Sequence, residues 1–177
     1  MPGTVWTKAA AAMNSAGPIP MPVTDTLLEL LQTIMDEEEA RFVHIFDKPS
    51  LNMEEIRERC DLDEASMNAM LDGLLHKGAL MVTTSRSAGI KVYTLMPPFP
   101  GLFELTMVRG ETGEKEKKLA ALFEELFEEL TQMIQANYDN VVEVFKVIPP
   151  ITRVVPVECE VDMKLDSVMP YEDAEKI

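Results

Sequence analysis

Few side chains in this sequence have the type and spacing that chemistry needs. There are two histidines, His44 and His76, and two cysteines, Cys60 and Cys159. A zinc site takes four nitrogen or sulfur ligands, and a [4Fe–4S] cluster takes four thiolates. No cysteine, histidine or carboxylate partner stands at ligand spacing from any of the four. His44 falls on the apolar side of "RFVHIF" and reads as a partly buried, hydrogen-bonded histidine. His76 falls near a helix C-terminus, where its positive form is favoured. Cys60 reads as a small core hydrophobe. Cys159 reads as partly exposed, with no base to activate it as a nucleophile. The acidic runs "DEEEA" and "FEELFEEL" can imitate a carboxylate metal site, but with no histidine at helical spacing they read as solvated faces. No GxxxxGK[ST], GxGxxG or GxSxG motif is present. These residues imply no catalytic set, no metal site and no cofactor site, and the expectation is a non-enzyme.

One polar set could serve nucleic acid: Asn68 and Lys77 on a predicted helix, with Arg86 and Lys91 on a predicted hairpin. Charge argues against it. Phosphate contacts come mostly from Lys and Arg, yet residues 51–95 hold seven acidic and five basic side chains. The whole chain of 177 residues has a formal net charge of -15. Such a field repels phosphate backbones and favours a protein partner, although DNA stays open as the alternative.

A hydrophobic content of 46% is enough for a real core. The first residues, "MPGTVWTKAAAAMNSAGPIPMPV", contain no apolar leader segment, and no run of about 18 apolar residues suggests a membrane span. Two unclustered cysteines fit free thiols in a reducing cytoplasm. The 13 methionines read mainly as a plastic core, with an adaptable partner groove as the second reading.

The elements that must position these residues follow from periodicity. Residues 1–22 lack it and read as a flexible arm, with Trp6 as a local docking point. Leu27, Leu28, Leu30, Leu31, Ile34 and Met35 give a helix, with Thr26 and Glu29 as a candidate capping box. "DEEEARFVHIFDK" gives a second helix. Asn52 and Glu55 cap a third, and Asp63 starts a fourth, which stops at Gly78. "LMVTTS" and "IKVYTL" flank "RSAG" as a hairpin turning near Ser87–Gly89. This order is that of a winged helix-turn-helix over residues 23–96, with 63–77 in the recognition position. Pro97 and Pro98 end the second hairpin strand. Residues 97–177 are expected to add a short helix or strand over 102–108 and a long amphipathic helix over about 114–137. A strand at "ITRVVPVE" and a helix start at Pro170 should follow. The expected class is α+β, mainly α.

Some pieces carry a resemblance. Pro98, Phe99, Pro100, Gly101, Phe103 and Glu104 come first, then the "LAALFEELFEEL" helix. Arg153, Pro156, Val157 and Glu158 follow, and finally Pro170, Tyr171 and Glu172. In this order they resemble the N-terminal half of a group of prokaryotic 4Fe-4S ferredoxin-like proteins, over about residues 25–177. The resemblance implies a winged-helix-like segment leading to cysteine-rich cluster motifs. Those motifs are absent here, so no cluster is expected in this chain, which would be either a truncated piece of a longer parent that carries the cluster or a family member that lost its cluster half; the unfinished helix at the end favours truncation. The implied function is a non-enzymatic, cytoplasmic interaction module of an iron–sulfur electron-transfer protein. Its partner would be another protein or the C-terminal iron–sulfur domain, and homodimerisation is an option. The alternative is a DNA-binding winged-helix regulator with the long helix as its dimerisation element.

Overall fold

In the computed structural model, residues 2–19, 21–86 and 88–147 are described. Residues 1–138 form one compact unit and 139–177 a second. The described residues are mainly helical with a small three-stranded antiparallel sheet, an α+β architecture.

Side-chain oxygens begin most of the early helices. Thr24 accepts from Leu27 N–H at the start of α2 (Asp25–Ile34). Asp36 and Glu39 form a full capping box on α3 (Glu37–Val43), and Asn52 and Glu55 form the expected one on α4 (Met53–Arg59). Asp63 accepts from Ala65 and Ser66 N–H at the start of α5 (Glu64–His76). These bonds satisfy donors that a helix start leaves open. Bonds to Ser66 hold the Asp63 carboxyl below its usual range, and the Lys48 and Asn52 bonds do the same for Glu55. The expected Thr26–Glu29 box does not form. The Thr26 hydroxyl donates to Glu129 instead, and Glu29 pairs with Lys118.

The N-terminal stretch corrects the expectation of a flexible arm. Pro2–Ser15 is a helix, α1, that packs on α2 and α3. Val5, Trp6, Ala9, Ala10 and Met13 are buried. Alanine costs least in a helix, and its small side chain lets backbones approach closely. The alanines therefore make a packing face where bulky residues were sought. His44 Nε2 bonds Val5 C=O at 3.0 Å, and the Asn14 amide brackets Met21 through N–H and C=O.

The sheet runs β1 (Ser50–Asn52), β3 (Lys91–Leu95), β2 (Leu80–Thr84), with β3 in the middle. Leu51 lies opposite Tyr93, and Val82 lies opposite Tyr93 on the other side. The hairpin turn closes with Ser85 N–H on Ile90 C=O. Strand β2 is an edge, and Met81 to Thr84 are exposed. Gly78 ends α5 at φ +76°, as expected. A Cβ there would lie 2.8 Å from Leu105 Cβ, so this glycine serves close approach as well as the turn.

After β3 the chain passes through an irregular turn, Pro98–Leu102, into α6 (Phe103–Met107) and then α7 (Glu114–Ala136). Helix α7 packs along α2. Leu119, Leu122, Phe123, Leu126 and Leu130 of α7 join Leu27, Leu30, Leu31 and Ile34 of α2 in one core. Each such side chain contributes about 1.5–3 kcal/mol on full burial. Met21, Met35, Met67 and Met96 are core residues, Met53 and Met70 are half-buried, and Met81 is exposed. A further helix, α8 (Tyr138–Val147), was not foreseen. The strand at 151–158 and the helix at Pro170 lie outside the described residues. Among those described, no helix is long and apolar enough to cross a membrane.

Candidate functional site

The four polar residues singled out by sequence have different fates. Asn68 is exposed on α5, Arg86 is exposed in the hairpin turn, and Lys91 is exposed at the start of β3. Lys77 is not free. Its ammonium donates to both carboxylate oxygens of Glu39, at 2.6 and 2.5 Å, and that carboxylate is only 8% exposed. The pair bolts the end of α5 to α3. Two of the other four cations of residues 51–95 are also engaged, Arg57 with Glu64 at 2.7 Å and Arg59 with Asp47 at 3.4 Å. Arg86 and Lys91 have no ion pair among the described residues. Lys91 shares a shallow hollow with Glu54 and Arg57, so one carboxylate stands close by. Asp72 lies exposed on α5. Burial first, and then the Asp72 charge, raise the Tyr93 phenol above its usual range.

The histidines and the described cysteine do structural work. His44 holds α1, and Arg109 bonds both His76 Nε2 and His76 C=O, at 3.2 and 2.6 Å. Cys60 is half-buried at the end of α4. Cys159 lies outside the described residues. Among those described, no group of three or more His, Cys, Asp or Glu side chains could hold a metal.

A different feature stands out, built by the segment that carries the resemblance. An open groove of about 590 Å³ lies between α6 and α7. Phe103, Met107, Phe123 and Phe127 form its apolar floor, and Glu124 and Glu128 stand beside them. The rings meet edge to face, with Phe103–Phe123 at 5.0 Å, Phe103–Phe127 at 5.2 Å and Phe99–Phe127 at 5.2 Å. Such pairs add about 0.5–1.5 kcal/mol each beyond burial, so this floor is stiff.

Both walls are anchored. The Gly101 N–H donates to Glu104 at 2.6 Å and the Thr106 hydroxyl to Leu102 C=O at 2.7 Å, which fixes α6. Gly78 and Arg109 press α6 onto the end of α5. On the other wall, Glu129 accepts from the Thr24 and Thr26 hydroxyls at 2.6 and 2.8 Å, which pins α7 to the start of α2.

Sequence reading put these phenylalanines in the core or in a connector and saw no groove. The available signal was Phe127, which sits at the border of the α7 apolar stripe four residues after Phe123. A border residue becomes a groove residue only when a neighbouring helix stops short, and α6 is five residues long. Comparison of the chain with known protein families, characterised proteins and solved structures finds no match.

Proposed function

We propose that residues 23–96 are a winged-helix module and that the chain works by binding protein rather than DNA, without catalysis. The helix order α2, α3, α4, α5 supports the fold reading, together with a hairpin whose central strand also pairs with β1. One observation carries the functional reading. The basic side chain at the end of α5, Lys77, is committed to the buried Glu39 carboxylate, and the exposed polar residues of α5 are Glu64, Ser66, Asn68, Asp72 and His76, with no Lys or Arg among them. A helix that reads DNA needs cations around it, and here only Arg86 and Lys91 remain. The apolar groove beside α7 is instead a surface that protein can use.

In this reading the module belongs to an iron–sulfur electron-transfer protein. The segment that resembles that family, Pro98 to Glu104, braces the groove through Phe99 and Phe103, and the cluster would be carried by cysteines outside these residues. The test has two arms. In fluorescence anisotropy with random and genomic duplexes, binding should be no tighter than the weak nonspecific range of about 10⁻⁴ M at physiological salt. Saturable binding below about 1 μM, lost in Arg86→Ala or Lys91→Ala, turns the reading to a DNA-binding regulator. In the second arm, a photo-cross-linker at Asn68 or Thr131 of the full chain should capture one protein from native extract. Nucleic-acid adducts would overturn the reading.

A further inference from the structure

We propose that the groove between α6 and α7 seats the apolar face of an amphipathic helix from a partner protein, a helix flanked by Lys or Arg. This rests on the interaction-module reading and names the kind of partner.

Length comes first. The α7 residues that line the groove run from Ala120 to Gln132. At 1.5 Å per residue that is roughly 18 Å, or about three helical turns. A partner helix of that length presents apolar side chains at i, i+3, i+4 and i+7 along one stripe. The floor suits such a stripe. Its aromatic rings are held edge to face, and Met107 supplies an adaptable thioether at one side. The described residues leave no buried side-chain donor or acceptor without a bond, so the polar side chains of the groove are the exposed ones at its margin, Glu124, Glu128, Thr131 and Gln132.

Charge then selects the partner. Glu124 and Glu128 lie one turn apart beside the floor, both exposed and neither in an ion pair among the described residues. An apolar helix with Lys or Arg on its flanks can meet both carboxylates while its stripe is buried. A second copy of this chain would bring the same carboxylates into the groove, and each copy carries a net charge of -15, so self-pairing is disfavoured. Nucleic acid meets the same repulsion.

The probe is a fluorescein-labelled synthetic peptide of about 15 residues, with leucine in the helical stripe pattern and lysine on the flanks. One control has the same composition with the leucines scrambled, and a second has glutamate for lysine. The full chain is titrated by anisotropy. The patterned peptide should bind at least about tenfold tighter than either control. Ala120→Arg fills the groove from an exposed position and should weaken binding about tenfold, with unchanged circular dichroism; Thr131→Arg at the other end serves if that variant does not fold. Glu124→Gln with Glu128→Gln should weaken binding about threefold and flatten its salt dependence.

Equal binding of patterned and scrambled peptides overturns the proposal, as does tight binding that Ala120→Arg leaves intact. A dimer of the free chain that Ala120→Arg dissociates would make a second copy the occupant and overturn it. Nuclear Overhauser contacts from the Met107 methyl to residues 148–177 would put the chain's own segment in the groove and do the same. Should the peptide fail while the cross-linker captures a protein elsewhere, the groove proposal falls and the interaction-module reading stands.

Discussion

Lys77 shows how one residue can change role between sequence and structure. In sequence it is a cation at the end of a candidate recognition helix. In the fold it neutralises Glu39, whose other task is to complete the α3 capping box by accepting from Asp36 N–H at 2.8 Å. Removing one member of a buried pair costs more than the pair is worth, because the other charge stays buried. Lys77→Met should therefore destabilise by about 2 kcal/mol in urea unfolding. Adding Glu39→Gln should recover part of that loss, giving a coupling energy of about 1 kcal/mol in the double-mutant cycle. Additive losses would mean that the two side chains do not work together. Nothing in the sequence joins residues 39 and 77, because their meeting depends on how α3 packs against α5. Asn52, Glu55 and Asp63 were legible because a cap acts within a few residues of itself.

At the scale of elements, the junction of α5 with α6 is a close one. Gly78 and Gly89 both have positive φ, +76° and +67°, but their surroundings differ. A Cβ on Gly78 would lie 2.8 Å from Leu105 Cβ, while nothing lies within 4 Å of a Cβ on Gly89. Gly89→Ala should cost only the left-handed backbone penalty, about 1 kcal/mol. Gly78→Ala adds a clash with a neighbouring helix and should cost about 3 kcal/mol or more, measured by thermal unfolding. Equal costs would mean that α6 yields freely. Sequence reading found the Gly78 stop and the hairpin because both are local signals. It missed β1, three residues long, and the α6–α7 groove, because both depend on partners distant in the chain.

For the whole molecule, the lesson lies in α1. A run of alanines without large apolar residues gives little periodic signal, yet Ala9 and Ala10 are fully buried because α2 and α3 come close enough to cover them. Trp6, the only tryptophan of the chain, is 7% exposed in that interface. Its emission should be blue-shifted in the native protein and should shift red in the same urea transition that far-ultraviolet dichroism reports. An earlier tryptophan transition would mean that α1 undocks by itself. Trp6→Ala should cost about 3–5 kcal/mol. The α+β class and the succession of α2, α3, α4, α5 and the hairpin were legible, because they rest on the alternation of caps, stripes and turns. The docking of the first helix was not, because it rests on small side chains that only a finished neighbour can make significant.

The outer margin of β2 bears on how the protein behaves at high concentration. Ser85 and Ile90 are bonded across the hairpin, and ladder bonds alternate along an antiparallel pair, so the amides of Leu80, Val82 and Thr84 point away from β3. The five residues Leu80–Thr84 carry no charge and no proline, the usual guards of an exposed strand. Long-range repulsion between like-charged molecules is then the main brake on strand-to-strand stacking. Added salt shortens the reach of that repulsion to about 3 Å at 1 M. Crowded, salty solutions of this acidic protein should thicken and cloud where dilute, low-salt ones stay clear, and a lysine placed at Val82 should keep them clear.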